Sequence, residues 1–176
     1  MKIYFVRHAQ TTANKQQRIE GHTHSSITEE GRKQANEAAN KLQNTQFEAT
    51  YSSDLTRCKE TAEIILTKHN NKLLLDKRIR GRNYGKYEAK PVGSIDWSEE
   101  GITFENEENY TQRILAFIEE IQKKHTKNVL VVTHGGVIRR TLHYFCEHTK
   151  EEAMDKNIEN GSVLIVDIDA NTCTTH

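Results

Sequence analysis

Lys2-Ile3-Tyr4-Phe5-Val6-Arg7-His8 and Asn128-Val129-Leu130-Val131-Val132-Thr133-His134-Gly135-Gly136 decide how this chain folds. Each begins with a short, apolar, β-branched run that does not alternate with polar residues. That is the pattern of a strand buried on both faces of a sheet. Residues 47–51, 72–75 and 162–168 supply three further strand candidates. Helical periodicity fills the intervals. Ala35, Ala38, Ala39 and Leu42 recur at 3–4 spacing behind Thr28-Glu29-Glu30, an N-cap with acidic residues in the first turn. Leu55, Cys58, Ala62, Ile65 and Leu66 repeat the spacing, as do Tyr110, Ile114, Phe117, Ile118 and Ile121, and a fourth helix spans 137–146. Strands alternating with helices predict a three-layer α/β/α sandwich with a mostly parallel central sheet. No Pro/Gly/Ser-rich linker or repeat interrupts it, so one domain over 1–176 is expected. The stretch 76–105 has no clean period and holds Gly81, Gly85, Pro91, Gly93 and Gly101, the composition of a lid.

Composition narrows the partners. The 176 residues carry 25 Lys plus Arg against 25 Asp plus Glu, a net charge of zero. A broad nucleic-acid or membrane surface needs a basic excess, so neither partner is expected, although a small positive pocket is compatible with the balance. No stretch approaches the roughly 20 apolar residues of a membrane span, and the N-terminus turns polar too early for a secretion signal. Cys58, Cys146 and Cys173 have no CxxC spacing. The expectation is reduced thiols in a cytoplasmic protein.

Ligands in open α/β sheets sit beyond the carboxyl ends of the strands. The first strand runs into Arg7-His8, the second into Ser52-Ser53-Asp54-Leu55-Thr56-Arg57, and the 128–132 strand into Thr133-His134-Gly135-Gly136. Two arginines and two histidines therefore converge on one rim. Guanidiniums fork onto phosphate oxygens and keep their charge. A glycine pair opening a helix brings backbone amides close to an anion. A neutral imidazole can attack phosphorus to form a phosphohistidine, while a second hydrogen-bonds the equatorial oxygens. Phosphoryl transfer is largely positioning and charge stabilisation, so the reading calls for no metal and no cofactor.

Arg7-His8-Ala9-Gln10-Thr11 with Asn14, Arg18 and Gly21 resembles the opening of the histidine phosphatase superfamily, phosphoglycerate mutase-like branch. The resemblance continues through Ile27-Thr28-Glu29-Glu30-Gly31 with Gln34-Ala35, then Ser52-Ser53-Asp54-Leu55-Thr56-Arg57 with Thr61-Ala62, Thr133-His134-Gly135-Gly136 and Asn160-Gly161-Ser162. It spans nearly the whole chain in order. The resemblance implies His8 as nucleophile and Arg7, Arg57 and His134 as the phosphate pocket. It places Asn14, Glu20, Gly21 and Gly135 against the substrate, a small phosphorylated molecule or a phosphoprotein. The compact length is similar to the phosphatases of this branch, the mutases being longer.

Two departures stand out. Ala9 occupies a position where the family has glycine. Gly81 occupies the position of the family's general-acid Glu, and acid catalysis contributes roughly 100- to 10,000-fold. Three readings follow: another lid carboxylate (Glu88, Glu105, Glu107 or Glu108) substitutes, the leaving group needs little protonation, or the chain binds phosphate with impaired turnover. His22-Thr23-His24 has the HxH form of some zinc sites, but further ligands are missing at short spacing, and a pocket-rim loop is the expectation. Arg78, Arg80 and Arg82 read either as a solvated run or as a device steering an anionic substrate.

Overall fold

The computed structural model describes residues 1–175. A six-stranded sheet runs in the order β3-β2-β4-β1-β5-β6. Its strands are β1 (Lys2–Arg7), β2 (Ala49–Ser52), β3 (Leu73–Leu75), β4 (Val129–Thr133), β5 (Val163–Asp167) and β6 (Thr172–Thr175). The first four are mutually parallel, whereas β5 pairs antiparallel with β1 and β6 antiparallel with β5. All five expected strands are present. The sixth, Thr-Cys-Thr-Thr, lacked the apolar content that marks a strand, and edge pairing to β5 supplies its stability.

The unalternating runs behave as two-faced strands. Ile3, Phe5, Val129 and Val131 join one apolar cluster, while Val6, Leu130 and Val132 join another on the opposite face. Helices α2 (Glu29–Leu42) and α3 (Thr56–Leu66) cover the second face through Ala38, Ala39, Leu42, Ala62 and Ile65. Helices α4 (Glu107–Lys124) and α5 (Gly135–Phe145) cover the first through Ile114, Phe117, Ile118, Val137 and Ile138. The three-layer sandwich is therefore the observed fold. Thr28 caps α2 by accepting from Gly31 N. Asn106 caps α4, which has Glu107 and Glu108 in its first turn and Lys123 and Lys124 in its last, each sign at the favourable end of the helix dipole. Two short helices, α1 (Thr12–Lys15) and α6 (Lys150–Asp155), were too brief to show a period.

Two expectations need correction. The 76–105 segment is not structureless. Three 3-10 turns (Lys77–Ile79, Gly85–Tyr87, Trp97–Glu99) are pinned by ion pairs and by a small cluster of Ile19, Tyr87 and Phe104. The arginine run is ion-paired rather than free in solvent: Arg78 pairs with Asp76 and Glu120, Arg80 with Asp54, and Arg82 with Glu100. The three thiols are not all reduced either. β6 carries Cys173 back beside the end of α5, where it pairs with Cys146, while Cys58 alone is free and buried. Among the described residues, no helix is long and apolar enough to cross a membrane.

Phe117 is fully buried under the sheet and meets Tyr51 edge-on. Phe117→Ala is expected to cost about 3–5 kcal/mol in urea unfolding. A loss under about 1 kcal/mol would mean that α4 does not anchor this face.

Candidate active site

Strand register builds the site. In the parallel β1–β4 pair Arg7 lies opposite Thr133, so the next residues, His8 and His134, leave adjacent strands at the same level. Their ring centroids are 5.2 Å apart. β2 pairs with β4 one residue earlier, Ser52 opposite Val132, and so delivers Ser53 and the start of α3 to the same rim. Arg57 in the first turn of α3 points back beneath the histidines and is 2% exposed.

The hydrogen bonds fix the tautomers. His8 Nδ1 lies 2.9 Å from the Ala9 carbonyl, which can only accept, so Nδ1 carries the proton and Nε2 presents a lone pair. Asn160 Nδ2 donates to the His8 carbonyl and to Asn14 Oδ1, tying the His8 end of β1 to the β5 side. His134 Nδ1 faces Arg57 Nη2 at 3.4 Å, and a guanidinium can only donate, so the proton sits on Nε2, 3.0 Å from Ser53 Oγ. His134 thus accepts from Arg57 through Nδ1 and helps to orient it.

Burial first, then the Arg57 charge, pushes both imidazoles well below their ordinary value; Arg7 acts further on His8, and the neighbouring His8 on His134. Both are neutral near pH 7. Arg7 is pushed down to about 10, by burial first and then by Arg139. Burial raises the Cys58 thiol to about 12, so it stays protonated. Arg57 spends Nη1 on Thr23 O and Nη2 on Gly21 O, while Arg7 donates from Nη1 to Ile158 O. Arg7 Nε and Arg57 Nε are buried without a hydrogen-bond partner among the described residues. Buried guanidinium donors left unpaired are costly, and the Glu20 carboxylate lies 3.6 Å from Arg57 Nε.

A cavity of about 730 Å³ opens on these groups. Arg7, His8, Asn14, Glu20, Gly21, Arg57, His134 and Gly135 all line it, so the eight residues that the resemblance assigns to the nucleophile, the phosphate pocket and the substrate contacts reach one chamber. Gly21 has φ of +52°, and a Cβ there would strike the Glu88 carboxylate at 2.2 Å. At Gly136 a Cβ would come within 2.6 Å of the Tyr110 hydroxyl, so the opening turn of α5 requires glycine to seat against α4. Ala9 is harmless: its methyl packs with Ile27 and Ala35, and its N–H donates to Thr61 Oγ1.

Gly81 lines the cavity, with its Cβ direction 3.3 Å from His134 Cγ. None of the four lid carboxylates considered as substitutes does. Glu88 accepts from the His22 and Tyr84 amides, Glu105 from Arg113 and Asn83, Glu107 pairs with Arg140 and Lys150, and Glu108 bonds Gln112. Glu20 is the carboxylate in the chamber among its described lining residues. Tyr84 and Trp97 form part of the cavity wall, and sequence reasoning missed Val92 and Ile95 beside them, along with Tyr110, Arg139 and Arg140. The Arg139-Arg140 pair, one turn into α5 after the glycines, was the available signal. His22 and His24 diverge, to Gly81 O and Thr56 Oγ1 respectively.

Residues 3–176 match the histidine phosphatase superfamily (branch 1), and the chain belongs to that family. A protein of Hydrogenobacter thermophilus named as a phosphoserine phosphatase is 25% identical over 98% of this chain and 92% of its own length. The solved structure of YhfR from Bacillus stearothermophilus superposes with a TM-score of 0.87 at 25% identity, covering 99% of this chain and 94% of that one. A phosphoglycerate mutase structure from Bacillus anthracis gives 0.81 at 25% identity, covering 100% and 91%.

Because His8 and His134 have depressed values in the folded state, the unfolded chain binds more protons below its ordinary imidazole value of about 6.5. Stability present above pH 6.5 should drain away as pH falls, by up to about 1.4 kcal/mol per pH unit for each ring. Urea midpoints measured from neutral to mildly acidic pH should therefore fall more steeply for the native chain than for His134→Gln. Equal slopes would contradict a neutral, buried His134.

Proposed function

We propose that this member of the histidine phosphatase superfamily hydrolyses phosphate monoesters through a phosphohistidine at His8. The observation that carries the reading is one cavity lined by Arg7, Arg57 and His8, whose Nε2 is unprotonated and free to attack. Nε2 attacks phosphorus, the ester P–O bond breaks, and the alcohol oxygen leaves with the electron pair. Water then attacks phosphorus, the N–P bond breaks with its electron pair returning to His8 Nε2, and inorganic phosphate leaves as the water's proton passes to solvent. Arg7 and Arg57 meet the charge on the equatorial oxygens, where fixed donors contribute most. The first turn of α5, opening at Gly135, adds the positive end of a helix dipole.

Gly81 shapes the substrate choice. With no carboxyl at that wall, the leaving oxygen departs unassisted, which suits an aryl or other low-basicity leaving group. The outer wall of Tyr84, Trp97, Val92 and Ile95 offers apolar and aromatic surface for such a group. Gly81 also favours a second reading, in which the chain binds phosphorylated molecules and barely turns them over.

His8→Ala is expected to abolish hydrolysis of an aryl phosphate, and Arg57→Ala to lower kcat by about 10²–10³, with circular dichroism unchanged. Normal turnover by the His8 variant would overturn the mechanism. Gly81→Glu, whose Cβ needs only a few tenths of an ångström from His134, should raise turnover of alkyl phosphates more than of aryl phosphates. An equal gain for both, or none, would contradict a missing acid at this wall.

A further inference from the structure

Glu20 is an unusual neighbour for a phosphate. It is 8% exposed, its Oε2 lies 3.9 Å from His8 Nε2 and 3.6 Å from Arg57 Nε, and it faces the cavity. It cannot swing aside. Thr11 Oγ1 and Ser25 Oγ donate to Oε1, and Asn14 Nδ2 donates to Oε2. A phosphoryl group attacked by Nε2 must set an equatorial oxygen against that carboxylate. Two anionic oxygens in buried contact repel strongly unless a proton lies between them.

The surrounding charges sharpen the point. From the end of β1 come Arg7 and His8, and from α3 come Arg57 and Cys58. Ser25, with Thr11 and Asn14 of the α1 turn, offers only neutral polar groups. Both imidazoles are neutral and the thiol is protonated, so Glu20 offsets one of the two guanidiniums. Arg139 and Arg140 of α5 and Arg82 also line the cavity, but none of the three pairs with the Glu20 carboxylate, so a phosphoryl oxygen set against Glu20 Oε2 still meets an anionic oxygen unless a proton lies between the two.

We propose that Glu20 couples phosphate binding to proton uptake, its carboxyl taking up one proton as the phosphoryl group enters and donating it as a hydrogen bond to an equatorial oxygen. The proton comes from solvent or arrives on a substrate monoanion, and it returns to solvent when phosphate leaves. His8 Nε2 is thereby spared protonation and keeps the lone pair that attacks. His134 is a poorer acceptor because its ring is held between Arg57 and Ser53. The inference rests on the phosphatase reading of the same site.

Inorganic phosphate, mostly dianionic above neutrality, is the probe. Calorimetric titration in two buffers of different ionisation heat should show about one proton taken up per phosphate bound, and affinity falling about tenfold between pH 7.5 and 8.5. In Glu20→Gln the uptake should vanish, and phosphate should bind about tenfold or more tightly than to the native chain at pH 8.5, with little pH dependence. In the native protein, infrared difference spectra should gain the carbonyl stretch of a protonated carboxyl when phosphate is added, a readout that needs no variant. Phosphate binding without proton uptake, or undiminished uptake in Glu20→Gln, would overturn the proposal while leaving the phosphatase reading intact. Failure of the native protein to bind phosphate would overturn both.

Discussion

Parallel pairing of β1 with β4, Arg7 opposite Thr133, is the constraint on which the site depends. A strand slipped by one residue turns every side chain to the other face. Such a slip would drive Phe5 or Val131 out of its cluster and pull His8 away from His134. The register is held by apolar side chains on both faces, so the stability of the sandwich and the geometry of the rim have the same cause. Asn160 adds a polar tie from the β5 side, donating to the carbonyl of His8 itself.

Burying two guanidiniums beside two imidazoles is electrostatically expensive, and the chain manages the cost in several ways. Both rings remain neutral. Arg57 spends two of its donors on the carbonyls of Gly21 and Thr23, which also fixes the loop that lines the pocket. Glu20 offsets part of the charge. Arg7 and Arg57 line the chamber and are held by backbone carbonyls before any ligand arrives, which is how preorganised charge lowers a barrier most. The outer lid uses its arginines differently: Arg78, Arg80 and Arg82 are ion-paired and hold 76–105 in place.

Much of this was legible in the sequence, for identifiable reasons. The strands at 2–6 and 128–132 announced themselves because burial on both faces demands unbroken apolar runs. The helices showed because one apolar stripe repeats at 3–4 spacing. Arg7, His8, Arg57 and His134 could be collected on one rim because strand ends in such sheets point the same way. β6 was not legible, since an edge strand of Thr and Cys has no burial pattern. Nor was the order in the lid, which comes from ion pairs between residues distant in sequence, such as Arg80 with Asp54. The Cys146–Cys173 pairing depends on that same unseen strand. The tautomer of His134 was beyond reach because it is set by Ser53 and Arg57 together, and sequence does not report hydrogen-bond direction.

In the proposed reaction, covalent transfer to His8 is the step on which everything else depends. The most direct measurement is a rapid-quench experiment with an aryl phosphate, followed by mass-spectrometric mapping of acid-labile, base-stable phosphate on the protein. Transient labelling of His8 that decays as inorganic phosphate appears is the predicted result. Release of phosphate with no label on His8 at any time would contradict it.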